Sequence, residues 1–388
     1  MPRSTKRVLH IASFDGNIGD NASHNGFYRQ LQHNTGWSLD LHQREIRKTY
    51  LNYQGADRWH WDDDLICDIN NHDLTVIGGG NYFELWVENS RTGTTIDLAP
   101  ESLKNIRKPL VFNGVGFDPN IGISEQAVAR FKRFVETATS LPSCVMTVRN
   151  DGSGKYLRQH LGDAMAERIP VIPDPGFFVD PGPASLPPSL EGKTFWVLNL
   201  AMDRPERRFP GNGKLDYSGF LREITAFVIR ACETYPGLEI VLAPHIFSDL
   251  DPIRDVVSTL PDHIRRWRVS VAPLLHGMGS EMTLFALYKH AELTLGPRFH
   301  ANVCPIGLGT PSIGLVTTEK LADLYEELGM PERAIQAQHA GFGEALWQLT
   351  ESTIDSKELI RSEYNSLRER LLTQSNTVYR DLTNLVGS

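Results

Sequence analysis

Short apolar runs, each ending in glycine or polar residues, recur along this 388-residue chain in two series parted by a proline-dense stretch. The first series is residues 8–14, 74–77, 110–115, 144–148 and 171–173. Continuous apolar runs of this length predict strands covered on both faces. Between the third and fourth, residues 124–138 have helical spacing, with Val128, Phe131, Phe134 and Val135 on one side. Strands alternating with helices predict a parallel α/β sheet. The break, residues 180–188, carries four prolines and cannot serve as a central strand. A second series follows at 194–200, 238–243, 268–271, 293–295 and 312–315, with helical patterns at 220–232 and 282–290. The chain therefore reads as two Rossmann-like α/β domains, residues 1–185 and 186–355, with an interdomain cleft. Residues 356–388 form a C-terminal helix whose stripe is Leu359, Ile360, Tyr364, Leu367 and Leu371.

Composition narrows the class of function. A net charge of −8 argues against general nucleic-acid binding, which needs a basic face. Cys67, Cys144, Cys232 and Cys304 are scattered, with no C-x-x-C pair, which suits a reducing cytoplasm. The basic residues Arg3, Lys6 and Arg7 precede a short apolar run that contains His10 and lacks a small-residue cleavage site. It reads as a first strand rather than a signal peptide. No run approaches the roughly 18 apolar residues of a membrane span. Cytoplasmic localisation is expected, and any membrane contact is peripheral, at the inner face through a lipid-linked substrate.

In open α/β sheets ligands sit beyond the C-terminal strand ends. Those ends carry Asn17, Gly19 and Asp20; Gly79, Gly80 and Asn81; Gly114-Val115-Gly116; Arg149-Asn150-Asp151; Asp174-Pro175; Asn199 to Asp203; His245; and the run Gly296-Pro297-Arg298-Phe299-His300, followed by Lys320. The residues after His300 can begin a helix. A helix N-terminus beside an arginine offers free N–H groups, a positive dipole end and a two-pronged donor, which together suit a small anion. His300 is placed to move a proton on it.

The ordered motifs Gly-Asn-x-Gly-Asp, Gly-Gly-Gly-Asn, Gly-Val-Gly, Val-Arg-Asn-Asp, Asp-Pro and Arg-x-His with a later lysine resemble the polysaccharide pyruvyl transferase family. The resemblance runs from about Val8 to Lys320. It implies a GT-B-like architecture and an enzyme that uses phosphoenolpyruvate to set a pyruvate ketal across two hydroxyls of a sugar, releasing phosphate. The acceptor would be a cell-surface polysaccharide or its lipid-linked precursor. By resemblance Arg149, Arg298, His300 and Lys320 contact phosphoenolpyruvate, with His300 as the acid. A carboxylate is needed to deprotonate the acceptor, and Asp20 and Glu84 both qualify. Asn17, Gly19, Gly79, Gly80, Asn81 and His245 are assigned to the acceptor or cleft. Neither a cofactor nor a metal is expected, with phosphoenolpyruvate a co-substrate.

Structural readings stand beside these. Asn17 and Asp20 also suit a helix cap. The glycines also suit close backbone packing. Arg149 also suits a buried ion pair with Asp151 or Asp174. His245 also suits a satisfied core position, and Asp174-Pro175 a turn. Trp59-His60-Trp61 suits either a sugar-stacking groove or an anchored acidic loop. A nucleotide-sugar glycosyltransferase or a non-catalytic anion-binding protein are the competing functions for the same fold.

Overall fold

The computed structural model describes residues 4–118, 122–183 and 186–387. The chain divides into two compact units. The first comprises residues 1–14, 27–175 and 371–388, and the second residues 15–26 and 176–370. The division after Pro175 precedes the predicted break, of which residues 184 and 185 lie outside the described residues. It also moves two short segments that a linear reading leaves with their sequence neighbours.

The first unit is built on six parallel strands: β1 (Thr5–Ala12), β2 (Ser38–Glu45), β3 (Leu74–Gly78), β4 (Leu110–Val115), β5 (Cys144–Arg149) and β6 (Val171–Ile172). Their order across the sheet is β2-β1-β3-β4-β5-β6. The inner strands β3 and β4 are buried at every position, which explains their unbroken apolar runs. β2 is an edge strand of sequence SLDLHQRE with no fully buried residue, and its polar character hid it from a search for apolar runs. The helix Glu125–Ser140 is capped by the Ser124 side chain and buries Ala127, Phe131, Phe134, Val135 and Ala138 against the sheet. The helix Lys357–Gly387 starts in the second unit and ends in the first. Within the first unit its Tyr379 hydroxyl donates to Asn113 Oδ1 at 3.1 Å, and Asn34 donates to Asn376 Oδ1 at 2.8 Å. Ile360, Tyr364, Leu367 and Leu371 form its buried stripe, whereas Leu359, counted in that stripe from sequence, is 61% exposed.

The second unit carries β7 (Phe195–Leu198), β8 (Glu239–Leu242), β9 (Val269–Val271), β10 (Leu293–Gly296), β11 (Ser312–Val316) and β12 (Ala334–Gln336). The order is β12-β11-β10-β7-β8-β9, again all parallel. This is the dinucleotide-fold order, and its direction of winding reverses between β7 and β10. Segment 15–26 belongs here because Ile18 and Ala22 pack with Phe285, Tyr288, Ala301 and Cys304. All four cysteines are free thiols, and burial pushes the Cys144 thiol up to about 12. Among the described residues no helix is long and apolar enough to cross a membrane.

Candidate functional site

The switch between β7 and β10 gathers side chains that are far apart in sequence. The two strands pair through Leu295 and Leu198, and the Asn199 amide continues the ladder to the Leu295 carbonyl at 2.8 Å. Beyond that point β7 leads to Asn199 and Asp203, and β10 leads to Arg298 and His300. Their approach is close: a Cβ on Gly296 would stand 2.8 Å from Asn199 Cβ. The Asn199 side-chain oxygen accepts from the Arg298 amide at 3.3 Å.

The Arg298 guanidinium is only 12% exposed and is held by two carboxylates. Its Nε donates to Asp249 at 2.7 Å, and one terminal nitrogen donates to Asp203 at 2.7 Å and also to Asp249. Arg208 grips Asp203 through Nε and Nη2, and its Nη1 donates to Thr317 Oγ1 at 2.7 Å. Two arginines thus meet two aspartates. Burial works against the Arg298 charge, but Asp249 and then Asp203 outweigh it and hold its pKa above the ordinary value. Burial likewise raises Asp203, and Arg298 and Arg208 more than offset it, leaving it below the ordinary carboxylate value. The Arg298 charge is therefore already balanced within the protein. Sequence reasoning missed Asp249, Arg208 and Thr317, whereas Asp203 closes the strand end 199–203 that it had placed at the site. The signal for Asp249 was its position four residues past His245.

His300 opens the nine-residue helix His300–Leu308. The expected free N–H groups of that helix are corrected. The Ala301 amide donates to the Arg298 carbonyl at 3.1 Å, and those of Asn302 and Val303 to Phe299 at 3.0 Å. The His300 side chain is 7% exposed and lies against the first turn of the helix Ile18–Thr35. A Cβ on Gly19 would fall 2.6 Å from its Nδ1, so only glycine admits this packing. Asp20 Oδ1 stands 3.9 Å from that Nδ1, ion-pair distance when the ring is protonated and too long for a hydrogen bond. Asn17 Oδ1 accepts from the Gly19 amide at 3.1 Å, so the capping role falls to Asn17 and leaves the Asp20 carboxylate to face His300. Lys320, in the first turn of the helix Glu319–Leu328, places its ammonium 5.2 Å from the Phe299 ring centre. Asp20, Gly19, Asn17, Arg298, His300 and Lys320 are thus brought together in one unit.

His245 follows β8 and is fully buried. Its Nε2 lies 2.8 Å from the Tyr288 hydroxyl. Burial, with the charges of Arg298 and His300, keeps its pKa well below the usual histidine value.

The remaining expected residues lie in the first unit. Arg149 is 4% exposed and pairs with both Asp151 (2.7 Å) and Asp174 (3.2 Å), so both ion pairs of its structural reading are formed. It shares the space over Gly116 with Asn81, whose Oδ1 would lie 2.4 Å from a Cβ there. Gly79 has φ +82° and donates to the Asn113 carbonyl at 3.1 Å, while a Cβ on Gly80 would strike the Tyr82 ring. Glu84 accepts from Thr95 Oγ1 at 2.8 Å. Trp61 is buried, and Trp59 is tied through Nε1 to the Glu45 carbonyl, so that pair anchors the loop.

No curated protein matches the chain. Among solved structures it is similar to UDP-GlcNAc 2-epimerase from Neisseria meningitidis bound to UDP-GlcNAc, at 12% identity and TM-score 0.51, covering 95% of this chain and 100% of that one. A putative UDP-N-acetylglucosamine 2-epimerase from Listeria monocytogenes gives 11% identity and TM-score 0.53 over 95% of this chain and 91% of that one. A trehalose-6-phosphate synthase, OtsA, gives 10% identity and TM-score 0.54 over 98% and 99%. At these identities the likeness shows the fold, the GT-B-like α/β class read from the sequence. A family model described as polysaccharide pyruvyl transferase matches residues 5–319, so the chain belongs to the polysaccharide pyruvyl transferase family.

Proposed function

We propose that this transferase takes its pyruvyl group from phosphoenolpyruvate and sets it as a ketal across two hydroxyls of a sugar in a polysaccharide or its lipid-linked precursor. One observation carries the reading: His300 faces Asp20 at 3.9 Å, beside Arg298 and Lys320, at the switch point of the second sheet. An imidazole paired with a carboxylate supplies a proton donor and an acceptor in one place.

The chemistry needs both. The His300 imidazolium protonates C3 of the enol, which becomes a methyl group and leaves C2 electron-poor. One sugar hydroxyl adds to C2 and gives up its proton. A second hydroxyl then displaces phosphate, and its proton balances the leaving group. Of the two candidate bases, Asp20 is the one beside His300, while Glu84 is engaged with Thr95. Asp20 stabilises the imidazolium and receives an acceptor proton. Asp249 is fully buried, whereas the Asp203 side chain is 33% exposed. The substrate carboxylate therefore takes the place of Asp203 on Arg298, and Lys320 meets the phosphate as a point charge.

Incubation with phosphoenolpyruvate and a glycan panel tests this. The expected result is one phosphate released per pyruvylated sugar seen by mass spectrometry. Phosphoenolpyruvate should also raise the melting temperature. Stabilisation and turnover with a nucleotide sugar instead would overturn the reading.

A further inference from the structure

His245 combines complete burial with a half-used ring. Its Nδ1 is buried and has no hydrogen-bond partner among the described residues. Its Nε2 is the one hydrogen-bond partner of the Tyr288 hydroxyl among them, at 2.8 Å. A buried phenol with one partner donates its proton to that partner. Nε2 is then the acceptor, and the proton of the neutral ring lies on Nδ1. This leaves a buried N–H donor aimed at nothing in the protein, a costly state unless a ligand completes it.

The direction of that donor follows from the ring. The two nitrogens sit on opposite edges, and the Nε2 edge faces Tyr288 in the helix Ser280–His290. Nδ1 therefore turns away from this helix. The backbone of His245 is fixed from both sides by the site itself. Its amide donates to Asp249 Oδ2 at 2.9 Å, the same carboxylate that holds Arg298. Its carbonyl accepts from the Ile18 amide at 3.1 Å, in the segment that carries Gly19 and Asp20 against His300. Arg298 and His300 are the charges that bear on the ring.

We propose that the His245 Nδ1–H donates to an oxygen of the anionic substrate held by Arg298 and His300, which makes His245 a ligand-binding residue. The proposal rests on the phosphoenolpyruvate reading for the identity of that anion. A neutral donor suits the task, because it binds an oxygen without releasing a proton into a site where proton transfer belongs to His300.

Side-chain geometry supplies the test. In His245→Asn the amide NH2 stands near the former Nδ1, whereas in His245→Gln it stands near the former Nε2. Calorimetric titration with phosphoenolpyruvate should give an affinity within about threefold of wild type for His245→Asn and a loss of about tenfold or more for His245→Gln. A purely structural histidine, valued for its Tyr288 bond, predicts the reverse order, and that order would overturn the proposal. A measurement on the wild-type protein guards against misfolded variants. In 15N-histidine spectra His245 should carry its proton on Nδ1 at neutral pH, and this signal should move on adding phosphoenolpyruvate. An Nε2–H tautomer, or an Nδ1–H signal that no anion moves, would overturn it. A shift with a nucleoside diphosphate and none with phosphoenolpyruvate would overturn the functional reading and leave the role of His245 standing.

Discussion

At the scale of single residues, the balanced cluster around Arg298 changes what substitution should do. Arg298→Ala leaves Asp249 buried without its cation, so it should cost about 3–5 kcal/mol of stability, seen as a lower denaturant midpoint. Adding Asp249→Asn should recover part of that loss. Asp203→Asn should instead tighten phosphoenolpyruvate binding by about tenfold in calorimetry, because it removes the carboxylate that competes for Arg298. Weaker binding would show that Asp203 serves only to hold Arg208. His300→Gln should lower turnover by about 10²–10⁴-fold while affinity falls less, since the side chain still donates a hydrogen bond but delivers no proton at neutral pH. The sequence made Arg298, His300 and Lys320 visible because each follows an apolar strand. It could not show that Arg298 was already paired, since its partners lie 49 and 95 positions away.

At the scale of elements, the tightest constraint is the seat of the helix His300–Leu308. Its first residue rests on Gly19, and a Cβ on Gly307 would stand 2.1 Å from the Phe177 carbonyl oxygen. Gly307→Ala should push the helix off that backbone and cost about 1–3 kcal/mol, read by thermal melting. Gly19→Ala should disturb catalysis more than stability. Its new methyl displaces a buried imidazole, and turnover should fall at least tenfold with the protein still folded. The apolar strands were legible because burial on both faces leaves an unbroken hydrophobic run. β2 and β12 were missed because each lies at a sheet edge, one polar along its length and the other three residues long. The Gly19–His300 contact was illegible for another reason: nothing local in either segment encodes a partner so distant in sequence.

At the scale of the whole molecule, the buried His245 and the partly exposed Asp203 both make the fold less stable in acid. The unfolded chain takes up a proton on His245 below about pH 6.5, and the folded protein, whose pKa there is well below normal, does not. Stability should therefore fall as pH drops through that value, by about 1.4 kcal/mol per unit from this residue. Asp203 acts in the same direction at lower pH. Its depressed pKa contributes stability above the ordinary carboxylate range, and that contribution is lost as pH falls through the folded value. Melting temperatures between pH 7.5 and 5.5 should decline less steeply in His245→Asn than in wild type, and parallel curves would refute this origin.

The interleaving of the two units has a consequence for synthesis on the ribosome. The chain begins in the first unit, passes through residues 15–26 of the second, returns, leaves again after Pro175, and comes back at 371. Residues 371–388, which carry Tyr379 to Asn113, are translated after the whole second unit. The first sheet is thus made early, but its unit is completed late. A nascent chain stalled after residue 175 should show that sheet only as a loosely protected intermediate, readily cut by protease. A separately supplied 371–388 peptide should restore protection in such a chain.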